Sequence, residues 1–348
     1  MMKKTKIVRI TDVERDRESL NEAGRIIRAG GLVVFPTETV YGIGANGLDG
    51  DACRSIYTAK GRPSDNPLIL TVPDKKGVMQ VARELPPLAE ALLDRFWPGP
   101  LTVIFPRRPN VPDAATGGLD TVALRCPDHA VARAFLRSAG VPVAGPSANL
   151  SGRPSPTTAA EAAHDMEGRV DMIIDGGPCH IGVESTIVEC TDERTVTILR
   201  PGGVTAAMLG EVAERVLVDT ALSGTAGVPK APGMKYRHYA PAAAMIVYVG
   251  SGEAVAAAIA AQRRETAGKR IGYLVSSETA AVLPQENCYI WGNRGDKAAL
   301  ANQLYGGLLF FDSHPVDLIL AEGVDEDGLG AAIMNRMGKA AGGHVVVL

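Results

Sequence analysis

Cysteine and aromatic residues are scarce in this chain of 348 residues, with five cysteines, two tryptophans and an aromatic content of 5%. The cysteines (Cys53, Cys126, Cys179, Cys190 and Cys288) are scattered and form no C-x-x-C pair. That argues against a disulfide frame or a zinc knuckle and suits reduced thiols, as in the cytosol. Long apolar runs are missing as well. Stretches such as 254–261 fall far short of the ~18–20 residues that a spanning helix needs. Behind the basic start, Asp12, Glu14 and Asp16 follow too soon for a signal peptide. The expectation is a cytoplasmic protein with no membrane partner. A dominant charge is also absent: the formal net charge is −3. The chain as a whole is therefore no electrostatic binder of nucleic acid, and any basic site must be local.

Several signatures of chemistry are missing too. The histidines at 129, 164, 180, 238, 314 and 344 show no H-E-x-x-H spacing and no cysteine partners, so no protein-held metal is expected. There is no G-x-S-x-G elbow and no G-x-x-x-x-G-K-[ST] loop. The cysteines read as core fillers rather than nucleophiles.

The length, with 46% hydrophobic and 22% charged residues, allows two soluble globular domains. In the first half, helical and strand patterns alternate. Helices are expected around 51–59, 87–96, 130–138 and 158–166. Strands are expected at 32–35, 68–72, 101–105, 122–125, 141–144, 172–175, 185–189 and 196–199. This is an α/β domain with a twisted mixed sheet, assigned to 1–218. Residues 219–242 lose periodicity and are rich in Pro and Gly, which marks a linker or lid. From 243 to 348 regular β-α alternation returns and predicts a small open parallel sheet of Rossmann type.

Three segments carry polar chemistry. Lys60-Gly61-Arg62-Pro63-Ser64-Asp65-Asn66-Pro67 sets two cations two apart in what reads as a proline-bounded loop. If that loop is extended, both side chains face one side, suited to a polyphosphate. Pro146-Ser147-Ala148-Asn149-Leu150-Ser151-Gly152 follows a strand and gathers small donors with free N–H groups. Phe35-Pro36-Thr37-Glu38-Thr39-Val40-Tyr41-Gly42-Ile43-Gly44 follows a buried strand, and its glycines alone are a weak signal. Arg125 closes a strand, where a buried guanidinium is costly unless a carboxylate, from the protein or from a ligand, pairs with it. Glu184-Ser185-Thr186 and Arg200-Pro201-Gly202-Gly203 add polar groups at strand ends.

Together these segments resemble the YrdC-type threonylcarbamoyl-AMP synthases in the longer form. The resemblance rests on F-P-T-E-T-V-Y-G-I-G-A from Phe35, K-G-R-P-S-D-N-P-L-I from Lys60, R-F-W-P-G-P-L-T from Arg95 and V-A-L-R-C-P from Val122. P-S-A-N-L-S-G from Pro146, G-V-E-S-T-I-V from Gly182 and L-R-P-G-G from Leu199 continue it. P-G-M-K-Y-R-H-Y-A-P from Pro232 and A-I-M-N-R-M-G-K-A-A-G-G near the end extend it through the tail.

The resemblance implies synthesis of threonylcarbamoyl-AMP from L-threonine, bicarbonate and ATP, with release of pyrophosphate, for modification of the adenosine next to the tRNA anticodon. It implies that Lys60, Arg62, Ser147 and Asn149 form the catalytic set facing the nucleotide. Threonine contacts would come from Thr37, Arg125 and Ser185, with Thr71 at an adjacent position. Further ATP contacts would come from Ser64, Asn66, Thr121, Ser155, Arg200 and Tyr239. Mg²⁺ would arrive with ATP. tRNA and the proteins that transfer the product to it are the implied partners. One departure stands out: the pattern L-I-V-H would place a histidine where this chain has Thr71. The competing readings are a double-stranded RNA or tRNA-binding module without adenylate chemistry, and carbamoyl transfer from carbamoyl phosphate. The latter would require additional metal or acyl-phosphatase modules, and none is seen in the sequence.

Overall fold

Strand Val33–Phe35 shows how the first half is layered, because its side chains alternate across the pleat. Val33 and Phe35 enter one apolar cluster with Leu20 and Ile27 of helix Arg17–Arg28 and Phe135 of helix Ala130–Ala139. Val34 enters a second cluster with Tyr41, Ile43 and Ile56. Met172 and Ile174 against Ile173 repeat the split in strand Met172–Asp175. A strand buried on both faces reads as a continuous apolar run, and these do.

A computed structural model describes residues 3–219 and 238–348. The linker positions 220–237 lie outside the described residues, and with them Met234, Lys235, Tyr236 and Arg237. The chain divides into two compact units. Among the described residues of the first, eleven strands form one sheet. From edge to edge they are Lys6–Arg9, Met172–Asp175, Val33–Phe35, Gly42–Asn46, Val143–Ala144 and Ile69–Thr71, then Thr121–Arg125, Leu101–Pro106, Thr186–Cys190, Thr195–Arg200 and Arg215–Val218. Parallel and antiparallel pairs are mixed along it, as expected from the sequence.

The second unit comprises 152–154, 181–183 and the described residues from 238 onward. Its five strands are all parallel, in the order Cys288–Ile290, Ile271–Val275, Leu318–Glu322, Ala244–Val249 and Val345–Val347. The open parallel sheet read from the β-α alternation is present. No helix among the described residues is long and apolar enough to cross a membrane.

One element was not expected and one sequence expectation changes. Beyond Pro36, Gly42–Asn46 is a strand antiparallel to Val33–Phe35. Its glycines serve packing, since a Cβ on Gly42 or Gly44 would come within 3.1 or 3.2 Å of the Phe35 ring. Lys60 is not a loop residue. It ends helix Gly50–Lys60, which starts at an Asp49 cap accepting from the N–H groups of Asp51 and Ala52. Gly61, at φ 60°, turns the chain out of the helix. The two cations therefore do not share one face of an extended segment.

Candidate active site

Strand register assembles one end of the site. Thr71 and Arg125 are the last residues of neighbouring parallel strands and lie directly opposite each other. Arg125 in turn lies opposite Thr102. The Thr102 hydroxyl is 2.7 Å from the Ser185 hydroxyl, just before strand Thr186–Cys190. Thr71, Arg125 and Ser185 thus come to one edge of the sheet, at the C-terminal ends of Ile69–Thr71 and Thr121–Arg125. In α/β sheets that is where ligands bind.

Each member of this rung is anchored. The Thr71 hydroxyl donates to Val143 O at 2.7 Å, and the side chain is 3% exposed. The Arg200 Nη2 donates to Ser185 O at 2.9 Å and lies 3.3 Å from the Ser185 hydroxyl. Gly202 makes this approach possible: a Cβ there would lie 2.3 Å from Thr186 N. The turn after Val33–Phe35 adds Thr37, whose hydroxyl accepts from Thr39 N and Val40 N and donates to Val40 O at 2.5 Å.

The same turn carries Glu38, which sequence reasoning did not single out. It is fully buried, and its Oε2 is 2.7 Å from Arg125 Nη2. This is an ion pair out of line for a hydrogen bond: both carboxylate oxygens, and Nε and Nη2 of Arg125, have no hydrogen-bond partner. The sequence argument that a buried Arg125 needs a carboxylate identified the type of partner. It could not pick Glu38 from among the other acidic residues. Glu184, read from the sequence as a polar group at a strand end, accepts at Oε1 from the buried Ser155 hydroxyl at 2.7 Å.

The other end of the site is built around Lys60. Its Nζ donates to Ser147 O and Asn149 O, each at 2.5 Å, with the side chain 2% exposed. Burial first, and the Arg62 charge second, hold this ammonium well below the usual lysine range. The Ser147 hydroxyl donates to Asn149 Oδ1 at 2.6 Å, and Ala148 N donates to Tyr41 O. Arg62 turns back on its own loop, with Nη2 donating to Pro67 O at 3.0 Å. Asn66 is buried, and its side-chain oxygen has no hydrogen-bond partner. Ser64 is exposed. Thr121 opens the strand that Arg125 closes, so the two lie roughly 13 Å apart by strand rise.

Tyr239 belongs to the second unit. It is buried, with a positive φ of 63°, and its ring centroid lies 5.3 Å from that of Tyr305. The Arg336 guanidinium is 5.9 Å from the same ring. Burial pushes every cysteine thiol up, Cys53 and Cys179 to about 12. None is a thiolate near neutrality; Cys53, Cys126 and Cys179 fill the core, whereas Cys190 and Cys288 are only partly buried.

Two family models match the chain. The Sua5/YciO/YrdC model, described as telomere recombination, covers residues 25–202, and the threonylcarbamoyl-AMP synthase C-terminal domain covers 204–342. The threonylcarbamoyl-AMP synthase of Bacillus subtilis is 44% identical over 348 residues, 99% of this chain and 100% of the relative. This chain belongs to the threonylcarbamoyl-AMP synthase family. A second synthase, from Pyrococcus abyssi, is 44% identical over 93% of this chain and 94% of its own. A crystal structure of P. abyssi Sua5 complexed with L-threonine superposes with a TM-score of 0.91 at 41% identity, covering 99% of both chains. Both the catalytic-half motifs and the tail of this synthase-family chain are therefore accounted for by one family in its long form.

Proposed function

We propose that this chain condenses L-threonine, bicarbonate and ATP into threonylcarbamoyl-AMP and pyrophosphate, as the names of its relatives suggest. The observation that carries the assignment of roles is Arg125. It is a buried guanidinium at the C-terminal end of a central strand, level with Thr71 and Thr102, paired with Glu38 through Nη2 and with Nε lacking a hydrogen bond. A planar fork with unused donors suits a carboxylate, and the surrounding hydroxyls suit the amino-acid end. Arg125 takes the threonine carboxylate. The threonine amine and bicarbonate give a carbamate and water. A carbamate oxygen then attacks the α-phosphorus of ATP, and the bond to the bridging oxygen breaks to release pyrophosphate.

This step needs positioning and charge stabilisation more than a protein nucleophile. Arg62 and Arg200 supply positive charge for the phosphates. Lys60 holds Ser147 and Asn149 in place against the nucleotide, and Ser64, Asn66, Thr121 and Ser155 complete the ATP contacts. Tyr239 is the remaining ATP contact that the resemblance implies. Mg²⁺ enters on the ATP phosphates. Among the described residues no group of three or more His, Cys, Asp or Glu is placed to hold a metal, and that ion commonly keeps substrate and water ligands. The product then serves tRNA modification through separate transfer proteins.

The test is pyrophosphate release measured with each substrate withheld in turn. Release that requires threonine, bicarbonate and ATP together supports the reading. Release without threonine or without bicarbonate overturns it.

A further inference from the structure

Glu38 is a costly residue. A carboxyl group with no exposed surface and no hydrogen bond on either oxygen is expensive to bury without a partner. The titratable groups that feel it besides Arg125 include Cys126, Cys179 and His129. Burial raises the two thiols to about 11 and about 12 and lowers the imidazole, so all three are uncharged at pH 7. The guanidinium of Arg125, 2.7 Å away, is the charge that balances it. The contact is made by Nη2, and the Arg125 side chain is 8% exposed against 1% for Glu38. The more deeply buried carboxylate thus restrains one nitrogen of the guanidinium, which limits where the remaining donors can lie.

We infer that Glu38 is a positioning residue for threonine recognition, acting through Arg125. This rests on the reading of Arg125 as the grip on the threonine carboxylate. A bidentate grip depends on the plane of the fork, so a guanidinium free to swing loses specificity before it loses charge. The turn gives a second reason: Glu38 follows Thr37, so one tight turn sets both a threonine contact and the orientation of the guanidinium facing it.

The experiment is a double-mutant cycle on the full chain with Glu38→Gln, Arg125→Gln and the double variant, plus Glu38→Asp. Dissociation constants for L-threonine and ATP are measured by calorimetry, and melting temperatures alongside. The expected result is that Glu38→Gln weakens threonine at least about tenfold while ATP binding stays within about twofold. Glu38→Asp should recover part of the loss. In the Arg125→Gln background, Glu38→Gln should cost threonine binding nothing further. That double variant buries no net charge, so it should melt above either single variant, which separates folding damage from recognition.

An equal loss of threonine affinity from Glu38→Gln in both backgrounds would mean that Glu38 acts independently of Arg125, and would overturn the inference. A parallel loss of threonine and ATP binding would also overturn it, as would unchanged threonine affinity in Glu38→Gln. If Arg125→Gln itself leaves threonine affinity intact, the reading of Arg125 falls first and the inference falls with it.

Discussion

Lys60 and Arg125 are both buried cations of the first unit, and they are held in opposite ways. Lys60 faces two backbone carbonyls, and its Nζ donates to both. Arg125 faces one carboxylate and keeps two nitrogens without a hydrogen bond. One is a closed set of partners that ties a helix end to the Ser147–Asn149 segment. The other is an ion pair that leaves hydrogen bonds unmade. Burial is common to both, so burial does not mark the site. The state of the hydrogen-bonding ledger does.

The strongest way to break this contrast is Arg125→Ala. It leaves Glu38 buried and unpaired, at about 3–5 kcal/mol of stability, and lowers threonine affinity by ~10²–10³ while ATP affinity holds. Calorimetry with each ligand checks it. A lower melting temperature with unchanged threonine affinity would make Arg125 a structural tie like Lys60.

Lys60→Ala should act differently, through stability and turnover and not through threonine binding. Two carbonyls lose their donor, at about 1–3 kcal/mol each. The melting temperature falls and turnover drops as the Ser147–Asn149 segment loosens, with threonine affinity unchanged. Lost turnover at an unchanged melting temperature would move Lys60 from the tie to direct phosphate contact.

The alkaline arm sharpens the same point. The folded chain binds the Lys60 proton less tightly than the unfolded chain, because burial depresses its affinity. Between that depressed value and the ordinary lysine value near 10.5 the unfolded state carries more protons, so stability rises with pH across the window. Below it, the cost of burying the charge is fully present. Wild type should therefore gain melting temperature relative to Lys60→Met as pH is raised toward about 10. A difference that stays flat or shrinks contradicts a buried, proton-poor Lys60.

The smallest effect is expected at Thr71→Val. One buried hydrogen bond to Val143 O is lost, at about 1 kcal/mol, with threonine affinity changed by only a few fold. A large loss of affinity would show that this hydroxyl reaches substrate despite its bond to the backbone.

The sequence was legible where pattern and punctuation agreed. Helix Pro87–Phe96 starts at a proline and ends before Trp97-Pro98, and strand Leu101–Pro106 is an apolar run bounded by that turn; both lie where the sequence puts them. Gly42–Asn46 was hidden because its two glycines look like a turn when they in fact make room for Phe35. The edge strands Lys6–Arg9 and Val345–Val347 were hidden because, exposed or only partly covered, they lack the buried pattern of inner strands. In the site, residue types near strand ends were readable from local spacing. The pairing of Glu38 with Arg125 was not, because it depends on a contact between segments far apart in the chain. Lys60 misled for a related reason: a helix end and a loop carry the same letters.

The rung Thr71–Arg125–Thr102 has a consequence for how the site tolerates length changes. Its side chains share a face because three strands are in phase, and a slip of one residue turns every side chain of a strand to the opposite face. The arrangement of this rung is therefore encoded as a phase relation between strands, much as a reading frame is, rather than as the identity of any one residue. Extra residues in the loops flanking Thr121–Arg125 leave that phase unaltered; a single residue added inside the strand inverts it, turning Arg125 away from Glu38 with all of its neighbours unchanged.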